Sequence, residues 1–399
     1  MSFPDATTPG SAPSDITVHV FGRTDVGRTR EHNEDAFVVA DLTADNATLQ
    51  PEVRMHRLGE RGTMFMVADG MGGAAAGEIA SAMATDIVLA EMRQRWMGAA
   101  EFTPDTFATA VKQSTETANQ RIHQFALEHP EHRGMGTTAT IAGILGDALY
   151  LAQVGDSRAY LIRDGIANQI TKDQSLIQKL VEAGELTPEE AEQSERRNII
   201  LQALGPEANI KVDLTVQQVR KGDTLVLCSD GLSGQVKTEQ IAECVRQLPD
   251  LVQLCKQLID LANHAGGPDN ITVVAARFEG EGLGQVSAGD AVGHRNYRFS
   301  SEGRATMPIG SGELPPNATA EVRMPTVRSD MLATTPVTGM PTITEEEANR
   351  PTPRATPALP AAAVAALEKE SGGLGITTWV GIGVALAIAL AAWSWFRGR

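Results

Sequence analysis

Five sites in this chain put carboxylates in the same local setting. Asp69 closes the apolar run Met64 to Ala68 and is followed by Gly70. Asp156 follows ALYLAQV and Gly155, and Asp230 closes TLVLCS and is followed by Gly231. Asp269 stands in GGPDN just ahead of ITVVAARF, and Glu34 with Asp35 precedes AFVVA. Acids from remote segments thus fall at the ends of strand-like runs, most of them beside glycine. Such a set suits hard divalent cations, which take several oxygen ligands and share carboxylates between them. Glycine adds to the donor set, because without a Cβ its backbone carbonyl can approach an ion. An Asp-Gly pair is also an ordinary turn signal. Asp164-Gly165, between AYLIR and IANQI, reads as a hairpin turn of that kind. Repetition at five sites weighs against five unrelated turns.

Other chemistries lack their residues. There is no G-x-S-x-G, no H-E-x-x-H and no phosphate loop ending in Lys-Ser/Thr, and Gly70-Met71-Gly72-Gly73 lacks dinucleotide spacing. Cys228, Cys244 and Cys255 form no C-x-x-C pair and read as reduced thiols. The formal net charge of −16 would repel polyphosphate, so nucleic acid is not an expected partner.

The elements that must carry these acids separate well by pattern. Met64 to Ala68, Thr138 to Leu145, Ala148 to Val154, Ala159 to Arg163, Thr224 to Cys228 and Ile271 to Phe278 read as strands. Three of them follow one another across short joins holding Gly146-Asp147 and Asp156-Ser157, which is meander spacing and implies antiparallel pairing. Helical periodicity covers Ala76 to Arg95, Pro104 to Glu128, Gln174 to Ala183, Thr238 to Gln247 and Leu251 to His264. Strand meanders with helix pairs between them indicate an α+β layered domain.

Composition divides the chain into zones: a disordered N-terminus over 1–16, a folded domain over 17–279, a Pro/Thr/Ser/Gly-rich linker over 280–370, an apolar segment over 371–396 and a tail of 397–399. No charge interrupts 371–396, and residues 376–396 would span about 30 Å as a helix, the thickness of a hydrocarbon core. Trp379 near one end and Trp393 and Trp395 near the other match an aromatic belt. The expectation is a single-pass C-terminal anchor in the inner (cell) membrane with the large domain in the cytoplasm. The polar N-terminus carries no secretory signal. Arg397 and Arg399 pull against that orientation, but a three-residue tail is easily translocated.

Taken together, GRTDVGRTREHNEDAF, VADGMGGAAAGEIAS, GMGTTAT, VGDSRAYLIRDG, ITKDQSL, LCSDGLS and GGPDNITVV resemble the metal-dependent type 2C (PPM) protein phosphatases of bacteria, in the family's order, over about Val18 to Phe278. The resemblance implies an αββα sandwich, Mn²⁺ or Mg²⁺ as cofactor, and phosphoserine or phosphothreonine proteins as substrates. Carried onto this chain, Asp69 bridges two metals, the Gly70 carbonyl serves the first, and Asp230 and Asp269 serve the second. Glu34 and Asp35 hold metal waters or ligate directly, Asp156 matches a weaker third site, and Arg30 clamps the substrate phosphate. Attack would come from a metal-bridging hydroxide, with no phosphoenzyme.

Departures are visible. Met71 stands where many eukaryotic relatives carry His, and Asp173-Gln174-Ser175 replaces the commoner Asp-His-Ser. Asp173 reads as a helix N-cap. Ser175 to Leu204 resembles the family's flap, with Arg196, Arg197 and Asn198 as candidate substrate contacts. The alternatives are a catalytically weak phosphoprotein-binding adaptor and a dedicated sigma-factor-pathway phosphatase. A tethered phosphatase would meet membrane substrates, among them a membrane Ser/Thr kinase.

Overall fold

The computed structural model describes residues 15–300 apart from 45–54, 73–75, 188–189, 192–193, 195, 197–198 and 288–289. These residues belong to one compact unit, Met1–Ser311; a second, Gly312–Arg399, lies outside them. Among the described residues no helix is long and apolar enough to cross a membrane, and the 371–396 segment lies outside them. The disordered N-terminus expected over 1–16 lies outside them too, except Asp15 and Ile16.

Twelve strands are described: β1 (Thr17–Asp25), β2 (Asp35–Asp41), β3 (Met55–Arg57), β4 (Thr63–Met71), β5 (Gly136–Thr137), β6 (Ala139–Leu145), β7 (Ala148–Val154), β8 (Arg158–Arg163), β9 (Ile166–Gln169), β10 (Asp213–Gln218), β11 (Thr224–Cys228) and β12 (Ile271–Glu279). One sheet runs β3-β1-β12-β11-β8-β9, and the other β10-β7-β6-β4-β2 with β5 paired to β4. All the strand pairs are antiparallel.

The continuous apolar runs have a simple cause. In β4, Phe65 and Val67 enter the core between the sheets, while Met64, Met66 and Ala68 face the helical layer. In β12, Val274, Ala276 and Phe278 face inward, and Ile271, Val273 and Ala275 pack under the helices Thr238–Gln247 and Leu251–His264. A strand alternates its side chains, so a strand buried on both faces must be apolar at every position. Three cores stacked in this way define four layers. The resemblance-based sandwich is thereby observed as two antiparallel sheets flanked by helices.

The outer layer over the second sheet is α1 (Ala76–Met92) and α2 (Pro104–Glu128). Helix α2 starts where its sequence directs, with Pro104 in the first turn and a Thr103–Thr106 capping box. Helix α1 ends at Met92 and passes into a π-turn, Arg93–Met97, that buries Trp96; its indole N–H donates to the Arg61 carbonyl at 2.8 Å. Strands β1, β3 and β10 carry no strong sequence signal: β3 has three residues, and β1 and β10 mix polar and half-buried positions.

The folded part also extends past 279, where composition places the linker. Leu283 is buried in the inter-sheet core, and Tyr297 and Phe299 pack on the helical side. Thr215 of the edge strand β10 forms a bridge with Asn296, and the Tyr297 N–H donates to the Leu214 carbonyl at 2.8 Å. The few apolar residues of a polar segment are enough to seat it, and seating it covers a sheet edge.

Candidate active site

Strand pairing brings the acids together. Asp35 and Asp69 are direct partners across β2 and β4. Cys228, at the end of β11, pairs with Val273 on one side and Arg158 on the other. Ser229-Asp230, the Asp156 turn before β8 and the Asp269-Asn270 approach to β12 therefore share one end of the first sheet. Gly231 lies so close to the Asn270 carbonyl that a Cβ there would stand 1.9 Å from it. Gly70 likewise lies against backbone, with the Gly77 carbonyl 2.2 Å and the Glu34 carbonyl 2.5 Å from where a Cβ would be. Only glycine permits either approach.

The carboxylates act on one another. Burial first, and then Asp35, Asp230, Asp156 and Asp269, push the Asp69 carboxyl well above its ordinary value. Burial raises Asp35 to about 7, with Asp230 and Asp269 adding to it against hydrogen bonds from Thr272 and Ser229. Asp156 is raised to about 7 by burial and then by Asp230 and Asp173. Asp230 is raised by burial and Asp269, and Glu34 by burial against the pull of Arg30. Arg30 is the cation at the rim: Nη2 donates to Asp269 Oδ2 at 2.8 Å, and Nη1 lies 3.8 Å from Glu34 Oε2. Its side chain is 46% exposed, so it can turn toward a ligand.

Backbone and hydroxyl groups hold the acids in place. The Ser229 hydroxyl donates to Asp35 Oδ2 at 2.7 Å and accepts from the Thr272 N–H at 3.0 Å. Thr138 Oγ1 accepts from the Asp69 N–H at 2.9 Å and meets Ser157 Oγ at 2.7 Å. Asn270 ties down the loop that carries Arg30: its Oδ1 accepts from the Glu34 N–H, and its Nδ2 donates to the Val26 and His32 carbonyls. Sequence reading missed all three. Ser229 and Asn270 adjoin acids already singled out, and Thr138 lies in the GMGTTAT motif, so motif adjacency was the available signal.

The residues fit divalent cations. Asp35 Oδ1 and Asp156 Oδ1 are buried with no hydrogen-bond partner, in a cluster whose like charges raise one another's proton affinity. A cation relieves both conditions. Among the described residues no three His, Cys, Asp or Glu side chains are grouped tightly enough to cage an ion by themselves. An open row of carboxylates matches ions that keep much of their water, as Mg²⁺ does.

Two expectations about the flap change. Asp173 is not a helix N-cap: Ser175 caps the helix Leu176–Glu182 by accepting from the Gln178 N–H. Asp173 is taken instead by Arg158, whose Nη2 stands 2.7 Å from Oδ2, and by Gln169 at 2.7 Å. A guanidinium outcompetes a cap here because its paired donors match the carboxylate. Arg196 is exposed, with no link to the acids among the described residues; Arg197 and Asn198 lie outside them.

A two-sheet sandwich with an acidic cluster at the strand ends and an arginine at its rim is the architecture of a metal-dependent phosphatase. The family model "Protein phosphatase 2C" matches residues 44–271. The serine/threonine phosphatase stp of Listeria innocua is 36% identical over 257 residues, covering 64% of this chain and 94% of that protein. The serine/threonine protein phosphatase PstP of Mycobacterium tuberculosis is 41% identical over 224 residues, 56% of this chain and 42% of PstP. Among solved structures, the PstP catalytic domain in complex with 2 manganese ions is 35% identical with a TM-score of 0.53, covering 66% of this chain and 99% of that one. Stp1 of Staphylococcus aureus gives a TM-score of 0.59 at 30% identity, over 70% of this chain and 100% of that one. The chain belongs to the protein phosphatase 2C family, as a serine/threonine protein phosphatase of the bacterial branch. Phosphatases of this family use Mn²⁺ or Mg²⁺.

Proposed function

We propose that this phosphatase hydrolyses phosphoserine and phosphothreonine on proteins at the Asp69 cluster, with two divalent cations and weaker binding of a third, while tethered to a membrane by its C-terminal segment. The observation that carries the catalytic part is the convergence of Asp35, Asp69, Asp156, Asp230 and Asp269 with two unpartnered carboxylate oxygens. Asp69 and the Gly70 carbonyl would hold the first cation, and Asp69, Asp230 and Asp269 the second. Glu34 and Asp35 would orient its water, and Asp156 with Asp230 would take the third. When bound, such ions acidify water and offset phosphate charge.

The chain's own residues do the rest. Arg30 exchanges its contact with Asp269 for two phosphate oxygens and aligns the phosphorus over the cluster. The Ser229 and Thr138 hydroxyls keep the Asp35 carboxylate and the Asp69 backbone from shifting as charge moves. Met71 has no proton to give, so the leaving oxygen takes its proton from water. The test is Mn²⁺- and Mg²⁺-dependent release of phosphate from a phosphothreonine peptide. Activity lost in Asp69→Asn and Asp230→Asn, with folding intact, supports the assignment; retained activity removes it.

The tether rests on residues 371–396, which hold no charged residue and carry tryptophan near both ends. It would place a cytoplasmic catalytic domain beside membrane substrates, including a membrane Ser/Thr kinase and its targets, and raise their effective concentration. Fractionation of cells expressing the full chain or one ending at 370 decides this part. A full chain found in the soluble fraction would refute it.

A further inference from the structure

We infer that Gln174 is a positioning residue for Asp156: it locks the turn that carries this carboxylate to the 199–202 limb of the flap. The inference rests on Asp156 holding a divalent cation, as proposed above. The Asp156 carboxylate gets little support of its own, since Oδ1 is buried without a hydrogen-bond partner. Its position is therefore set by its backbone. On one side that backbone is wedged, because a Cβ at Gly155 would lie 2.6 Å from Thr138 Cγ2, and Gly155 has a φ of +101°. On the other side two glutamines hold it: Gln153 Nε2 donates to the Gly155 and Ser157 carbonyls at 3.1 and 2.7 Å, and Gln174 ties the same turn to the flap. The Gln174 N–H donates to the Gly155 carbonyl at 2.9 Å, and Gln174 Oε1 accepts from the Gly155 N–H at 3.0 Å. Its Nε2 donates to the Gln153 carbonyl at 3.3 Å.

The same residue receives the limb. Gln174 Oε1 also accepts from Gln202 Nε2 at 2.8 Å, and its carbonyl accepts from the Leu201 N–H at 2.8 Å. Gln202 is in turn closed onto Lys211, donating to its carbonyl and accepting from its N–H at 2.8 and 2.7 Å. Neighbours on both sides are pinned, Asp173 by Arg158 and Ser175 by the helix it caps, so Gln174 cannot swing out of this arrangement. Two residues further on, Leu204 exchanges both backbone hydrogen bonds with Thr137, whose hydroxyl donates to the Asp69 carbonyl. A limb displaced by a bound phosphoprotein would therefore drag the Asp156 turn with it through Gln174. A glutamine suits this post because one amide supplies two acceptor directions and a donor without charge beside an acid cluster.

The test is manganese binding to the full chain, followed by calorimetry and by electron paramagnetic resonance of free Mn²⁺. Gln174→Ala is expected to weaken the Asp156-dependent ion about tenfold, the size typical of a lost outer partner, and to leave the two ions held by Asp69 unchanged. In an Asp156→Ala background it adds nothing. Gln202→Ala, which spares both Gly155 contacts, gives a smaller loss of about threefold in the same ion, together with a raised KM for a phosphothreonine protein at unchanged kcat. Equal weakening with and without Asp156, or none in Gln174→Ala, overturns the positioning role. If Asp156→Ala itself releases no manganese, the ligand assignment fails and takes this inference with it. Should Gln174→Ala not fold, Gln202→Ala decides alone: unchanged affinity for that ion overturns it.

Discussion

At one end of the β8–β11 pair, Arg163 and Asp223 are buried together, their side chains 5% and 1% exposed. The guanidinium donates to both oxygens of Asp223, to the Gln218 carbonyl and to the Asp290 carbonyl, and the Arg220 N–H reaches the same carboxylate. At the other end, Asp35, Asp69, Asp156 and Asp230 crowd one another, with Arg30 at the rim, Arg158 turned to Asp173, and two oxygens left without partners. Both groups take charge out of water, and only the first is repaid within the chain. The difference teaches which group is structural. A charge that holds the fold is saturated, and a charge set aside for a ligand is left in want of one.

This contrast can be broken by exchanging the roles in experiment. The largest effect is expected from Asp69→Asn. Phosphatase turnover should fall about 1,000-fold or more, which is ~4 kcal/mol of transition-state stabilisation. The metal-free protein should melt higher, because one like charge has left the cluster. A variant that melts lower and keeps turnover would erase the distinction.

Arg163→Met is the mirror case. It strands a buried Asp223 and should cost ~3–5 kcal/mol, a fall in Tm of about 10 °C for a domain of this size. Turnover per folded molecule should stay near wild type, since Arg163 is remote from the acids. The network also holds Asp290, so digestion with protease should release residues beyond 280 sooner in this variant.

A third effect concerns pH. Folding raises Asp35 and Asp156 to about 7, so the folded metal-free protein binds protons more tightly than the unfolded chain between about pH 4 and 7. Stability from these groups is complete below the unfolded pKa and is lost as pH rises through the folded one. Metal-free protein should therefore melt about 5 °C higher near pH 5 than at pH 7.5, and saturating Mn²⁺ should abolish or reverse the order. Calorimetric scans at both pH values check the sign. The smallest effect is expected from Ser229→Ala, which removes the hydroxyl between Asp35 and Thr272. Affinity for Mn²⁺ should drop about tenfold while Tm shifts by only a few degrees.

Much of this candidate site is legible in the sequence. Asp-Gly pairs at strand ends pointed to Asp69 and Asp230, which the structure brings into one cluster, because hydrophobic runs and glycine are local signals and a strand end is where a side chain can leave the core. Paired acids were legible as a class, but not their partners. That Asp35 lies opposite Asp69 is a matter of register between strands 34 positions apart, which no local pattern encodes. The Asp173 cap was misread for the same reason: capping is a local rule, and Arg158 arrives from a neighbouring strand to override it. Residues 280–300 were misread because composition averages over a segment, whereas Leu283, Tyr297 and Phe299 act singly.

By itself, then, the chain's order of residues determined the elements, the acids at strand ends and the uncharged C-terminal run, all of which are written in spacing and polarity over short stretches. The tertiary structure alone decided which acids converge, which of their oxygens stay unpartnered, and which charges are neutralised at the far end of the same strands. Those outcomes depend on distances between segments remote in sequence, and burial acts on them only after the two sheets have closed on each other.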